Sequence, residues 1–195
     1  MLARWPPLES VLIGRYSRVV SRLPLLVVVS GPPGSGKTTL AHALASAVGC
    51  PAICRDEIKE GMVHGDAHYV PELSDDVAWR AYETFFGALR LLLAAGVTTV
   101  AEAAFQDRLW RQGLRPLLPL ADVKVVQCYA ADEVIEQRVG GRTRPAHADA
   151  QWVVRAFERV VLGVPEIRVD TSDGYDPGLD EIVRFVGQKN SSSRR

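Results

Sequence analysis

Gly31-Pro32-Pro33-Gly34-Ser35-Gly36-Lys37-Thr38-Thr39 decides the fold, because it meets the pattern G-x-x-x-x-G-K-[ST] at every fixed position. Gly31, Gly34 and Gly36 allow backbone angles and close approaches that a Cβ would block, so consecutive N–H groups can wrap a phosphate chain. Lys37 brings a mobile point charge for the β- and γ-phosphates, and the Thr38 hydroxyl is the kind of ligand that holds Mg²⁺. The whole run from Gly31 to Thr39 is thus the expected contact surface for a nucleotide's phosphates. Its flanks agree. Leu25-Leu26-Val27-Val28-Val29 is a short β-branched apolar run, as a buried parallel strand should be. Leu40, Ala41, Leu44, Ala45 and Val48 follow at helical spacing up to Gly49, which turns a helix N-terminus toward the phosphates.

The rest of the chain bounds what this loop serves. At 195 residues, 47% hydrophobic and 24% charged, there is material for one substantial core. Formal net charge is zero, so no overall field draws the protein to nucleic acid or an anionic membrane. No stretch reads as a membrane span. The basic segment ahead of Leu25 imitates a signal peptide, but the apolar run is short and leads into the phosphate loop instead of a cleavage site. Three cysteines, Cys50, Cys54 and Cys128, show no zinc spacing and suit reduced thiols, so the expected location is cytoplasmic. Residues 1–23 form an N-terminal basic extension, read as a packed or frayed arm or as a partner contact. Residues 24–187 form the domain, and 188–195 are expected to be a disordered tail.

Alternating strand and helix patterns predict a parallel α/β/α sheet covered on both faces. The strands are expected at Pro51–Cys54, Val97–Ala101, Val123–Tyr129 and Glu166–Val169, besides the one before the loop. Helices are expected at Ser10–Leu23, Ser74–Ala95, Asp107–Leu118, Asp132–Val139, Gln151–Leu162 and Leu179–Val186. Two acids fall where strands deliver their chemistry. Asp56 follows the second strand, placed to take a proton from an acceptor hydroxyl, to hold a water of Mg²⁺, or to cap a helix. Glu102 follows the third, as a metal-side or acceptor-side carboxylate or a solvated strand end. His64 and His68 are too few for a metal site and suit substrate contact better. Arg138, Arg142 and Arg144 around Gly140-Gly141 make a mobile basic segment, residues 138–150, such as a lid over a triphosphate requires.

These residues together resemble the small P-loop kinases grouped with polynucleotide kinase, chloramphenicol phosphotransferase and zeta toxin, often labelled AAA-type ATP-binding proteins. The resemblance rests on GPPGSGKTTLA at the loop, CRDEI after the second strand, VAEAAF after the third and EQRVGGRTR at the lid. It implies a sheet order 2-3-1-4-5, with ATP and Mg²⁺ as cofactors. It also implies Asp56 as general base and Glu102 at an acidic position on the acceptor side, while the placement of both acids after strands beside the loop lets Asp56 and Glu102 join Thr38 as metal-side residues. Arg138 and Arg142 would then sit near the adenine and the transferring phosphate. Absence of Asn-Lys-x-Asp and Asp-x-x-Gly excludes a GTPase, and the chain lacks the length for the extra helical domain of AAA motors. The implied activity is transfer of the γ-phosphate to a hydroxyl of a small molecule or nucleotide. The alternative is a regulatory nucleotide-binding module without an acceptor. The segment from Asp56 to Ser74 is acidic overall, so an extended nucleic acid is not the expected partner.

Overall fold

A strand flanked by helices on both sides must be apolar on both of its faces, and Leu26 to Val29 are fully buried. The structure, a computed structural model, describes residues 23–65, 76–140 and 157–188. Five strands, β1 (Leu25–Ser30), β2 (Ala52–Cys54), β3 (Thr99–Ala103), β4 (Asp122–Tyr129) and β5 (Glu166–Asp170), pair in parallel in the order β2-β3-β1-β4-β5. That is the order the resemblance implies. The helices are α1 (Lys37–Val48), α2 (Arg55–Val63), α3 (Asp76–Ala94), α4 (Asp107–Leu114), α5 (Asp132–Gly140) and α6 (Leu179–Gly187).

Alternation along β1 divides the core. Leu26 and Val28 face an aromatic layer in which Phe85 and Phe86 of α3 meet Trp110 edge-on, Tyr82 meets Phe105 at a tilt and Phe86 stacks on Phe105. Val27 and Val29 face α1 and α6 through Leu40, Leu44 and Ile182. The strand sequence reverses direction across the sheet at β1, and this switch point opens the crevice into which the loop after β1 projects.

Several elements depart from the sequence reading for identifiable reasons. α4 stops at Leu114 instead of Leu118, because Pro116 has no N–H to continue it, and a 3-10 turn follows at Leu118–Leu120. β3 starts and ends two residues later than expected and takes Glu102 into the sheet. The helix expected over Gln151–Leu162 is absent from residues 157–162, whose backbone is held by side chains instead. There Gln106 and Asp107 accept from the N–H groups of Glu158 and Val161, and Gln127 donates to the Val160 carbonyl. The N-terminal extension, the tail from 189 and most of the lid lie outside the described residues.

One buried cation ties the sheet to its last helix. Lys124, on β4 and 1% exposed, donates to the carbonyls of Phe185, Val186 and Gln188 at the end of α6, where the helix ladder runs out and Phe185 accepts besides only from the capping Gln188 N–H. Lys124→Met should remove this shared donor from the helix end and lower stability by about 3 kcal/mol. Urea denaturation checks this, and an unchanged midpoint would show that the contact carries no net stability.

Candidate active site

The backbone alone builds a phosphate cradle. At Gly31 a Cβ would stand 2.5 Å from the Cys128 carbonyl and 2.6 Å from Ser35 Oγ, so no other residue fits where β1 runs into the loop. Gly36, at φ 69°, is the N-cap of α1 and turns the chain sharply into the helix. α1 has no side-chain cap and no acid in its first turn, whereas α2 to α6 all carry one there. The positive end of its dipole and its free N–H groups are left for an anion. Pro32 and Ser35 close the loop on itself through a 3.1 Å backbone bond.

Three functional groups converge beside this cradle. Lys37 is 3% exposed, with Nζ 3.4 Å from the Pro32 carbonyl and 3.7 Å from Glu102 Oε1. The Thr38 hydroxyl donates to Glu102 Oε2 at 3.2 Å. Glu102 is 1% exposed, which replaces the solvated strand end with a carboxylate buried inside β3, in register with Val29 and Cys54. Burial raises its pKa above the ordinary glutamate range; the Lys37 charge opposes that, and the Asp56 charge adds to it. Among the described residues Glu102 Oε1 is a buried oxygen without a hydrogen-bond donor. An orphaned carboxylate oxygen next to a threonine hydroxyl is a hard oxygen set of the kind that Mg²⁺ takes. Cys54, pushed up by burial and by the charges of Glu102 and Glu57, is a neutral thiol against this carboxylate.

Asp56 does not cap a helix: the N-cap of α2 is Cys54, and Asp56 sits in the first turn, ion-paired with Arg55 at 3.0 Å. Arg55 also reaches the Ala78 carbonyl at 3.5 Å, and its guanidinium stands 6.0 Å from the Phe105 ring. Exposed Trp79 stacks on Tyr82 at 5.0 Å on the same α3 surface. Arg55 thus links Asp56 to the α3 segment that carries Trp79 and Tyr82, while His64 is exposed at the end of α2. His68 and the lid arginines Arg142 and Arg144 lie outside the described residues.

A brace that no motif announced holds the cradle from behind. Thr171, just past β5, donates from its buried hydroxyl to the Ser35 carbonyl at 2.8 Å. Arg138, in the last turn of α5, donates to the carbonyls of Gly34 at 3.3 Å and Thr171 at 2.7 Å. Arg138 is thereby anchored on the phosphate loop itself. Only its distance in sequence from Gly34 hid this contact.

The profile of the AAA domain family matches residues 26–161, most of the chain and all of the site apart from Thr171. The chain belongs to the AAA domain family. Among solved structures, this AAA-domain protein is similar to a candidate kinase from Chloroflexus aurantiacus, at 26% identity and TM-score 0.71, covering 85% of this chain and 94% of that one. It is also similar to a gluconokinase from Sinorhizobium meliloti, at 26% identity and TM-score 0.58, covering 85% and 90%. The fold is therefore that of the small P-loop kinases, and a nucleotide-binding phosphotransferase is the general class. A curated relative, an ATP-dependent zinc metalloprotease YME1 homolog of Caenorhabditis elegans, is 41% identical over 69 residues, 34% of this chain. The match spans about a tenth of that protein's length. The H-E-x-x-H pattern of zinc metalloproteases does not occur in the sequence. No helix among the described residues is long and apolar enough to cross a membrane.

Two outcomes follow from this geometry. A carboxyl with a raised folded pKa favours the fold fully below its ordinary value of 4.5 and loses that contribution as pH rises through the folded value. The melting temperature of Glu102→Gln should therefore gain on the parent as pH rises from below 4.5 toward neutrality, and a gap that stays flat or reverses would contradict the burial argument. Thr171→Val should remove the donor from the Ser35 carbonyl and cost about 1–3 kcal/mol in denaturant titrations while weakening nucleotide binding. Unaltered nucleotide affinity would show that the brace does not shape the loop.

Proposed function

We propose that this AAA-domain protein is a kinase that transfers the γ-phosphate of ATP to a hydroxyl of a small molecule. The observation that carries the reading is the convergence of Lys37, Thr38 and buried Glu102 on one crevice, with Asp56 in the first turn of the helix that follows the neighbouring strand β2. In this reading the loop N–H groups and Lys37 orient the triphosphate, and the acceptor lies between Asp56 and the Trp79 face. Asp56 takes the hydroxyl proton as the acceptor oxygen bonds to the γ-phosphorus and the bond to the β–γ bridging oxygen breaks, leaving ADP. Lys37 and Arg142 stabilise the equatorial oxygens that gain charge, and Arg138 sits on the adenine side of the loop. Thr38, Asp56 and Glu102 are the residues that would hold Mg²⁺, whose chemistry is to neutralise the β- and γ-oxygens.

The acceptor is best matched by a compact hydroxyl compound. Trp79 offers an exposed ring, which suits the apolar face of a sugar or polyol, and Arg55 offers donors for its oxygens. The gluconokinase likeness supports this class without naming the compound. Acid residues around Asp56 and the zero net charge disfavour an extended nucleic acid. The reading places the protein in the cytoplasm, where ATP and reduced thiols coexist, and takes 24–187 as one kinase domain with its lid at 138–150.

Incubation with γ-labelled ATP and pools of small hydroxyl compounds or RNA separates the possibilities. Label on a small molecule supports the reading; label on inorganic phosphate alone would make the protein a slow regulatory ATPase, and label on RNA ends a polynucleotide kinase. Against an identified acceptor, Lys37→Ala should slow transfer by about 10² to 10³, the usual worth of a donor aimed at transition-state charge. Asp56→Asn keeps the shape and removes the base, so unchanged turnover would take Asp56 out of the mechanism.

A further inference from the structure

Three residues from separate parts of the chain meet beside the phosphate-loop helix without taking part in the chemistry above. His42 lies on α1, four positions after Thr38; Cys54 ends β2; Glu57 is in the first turn of α2. His42 Nε2 is 2.7 Å from Glu57 Oε1 and 3.7 Å from Cys54 Sγ, and one ligand atom from each residue lies within 4.8 Å of the others. His42 and Glu57 are half exposed, at 50% and 48%, while Cys54 is 2% exposed, so the trio opens to solvent above and is walled by protein below.

We propose that His42, Cys54 and Glu57 form a binding site for a borderline transition-metal dication of the Zn²⁺ class. A nitrogen, a sulfur and a carboxylate oxygen are the donors such an ion prefers, and Mg²⁺, which takes oxygen, does not compete for them. Zinc bonds of about 2.3 Å to sulfur and about 2.0–2.1 Å to nitrogen, at a tetrahedral angle, put those two atoms about 3.6 Å apart, the spacing that His42 and Cys54 already hold. The Glu57 oxygen needs only to release its hydrogen bond to His42 and rotate. Three protein donors leave a fourth position for water, the arrangement of an accessible site. On binding, the Cys54 proton passes to solvent and the sulfur bonds the ion as thiolate. The ion then ties α1 to the start of α2, that is, the phosphate-loop helix to the acceptor-side helix, and takes Cys54 away from Glu102. This makes transition-metal binding a way to restrain the acceptor side, independent of which acceptor is used.

Titrating the metal-free full chain with Co²⁺, in excess Mg²⁺, reads the site directly. One ion per chain should bind with a thiolate-to-cobalt charge-transfer band and the d–d bands of a four-coordinate centre, and Zn²⁺ should displace it. Cys54→Ser should abolish the charge-transfer band and Cys50→Ser should keep it. Glu57→Gln and the exposed His42→Ala, which has little reason to disturb folding, should each weaken binding by more than about tenfold, since even residues that merely orient a ligand are worth that much. Absence of the band in the parent, its survival in Cys54→Ser, or unaltered affinity in His42→Ala would overturn the assignment.

Discussion

A carboxylate buried in the middle of a parallel sheet is the constraint on which the arrangement turns. Glu102 is enclosed between β1 and β2, its charge opposed by burial and answered by Lys37 and the Thr38 hydroxyl. Desolvating an ionised carboxyl is costly unless something compensates it, and here the compensation is incomplete, with one oxygen undonated among the described residues. Such a group persists because the surrounding register, fixed by fully buried valines and alanines, leaves it nowhere else to go. Under the proposed function, this unfinished coordination is what a cation bound with the triphosphate would complete.

The same logic explains why so much structure is spent behind the loop. Backbone N–H groups can act as anion ligands only if the loop does not collapse to satisfy them itself. Close contact of Gly31 with β4, the Thr171 hydroxyl on the Ser35 carbonyl and the Arg138 guanidinium on the Gly34 carbonyl occupy the loop's acceptors and sterically hold its curve. The donors therefore remain aimed into the crevice. Arg138 adds to this from the last turn of α5, where its guanidinium joins the Gly34 carbonyl to that of Thr171.

What the sequence made legible follows from how local each signal is. The loop, its strand and its helix are contiguous and governed by short-range rules, so nine residues sufficed to place them and the sheet order came with the family. Asp56 and Glu102 were found because acids at strand ends stand out, yet the depth of Glu102 was not, since β3 runs two residues beyond its apolar stretch. Residues 157–162 read as helix by periodicity, but Gln106, Asp107 and Gln127 supply partners to that backbone from across the fold. Thr171, Lys124 and the His42, Cys54 and Glu57 trio share the same reason for invisibility. Each depends on residues far apart in sequence, and no spacing rule joins them.

In the proposed function, Glu102 and Thr38 hold the metal-bound triphosphate. Calorimetric titration of ATP into the parent and into Glu102→Gln, each with and without Mg²⁺, tests this most directly. Mg²⁺ should tighten ATP binding to the parent and add little to the variant; an equal gain in both would contradict the role given to the buried carboxylate.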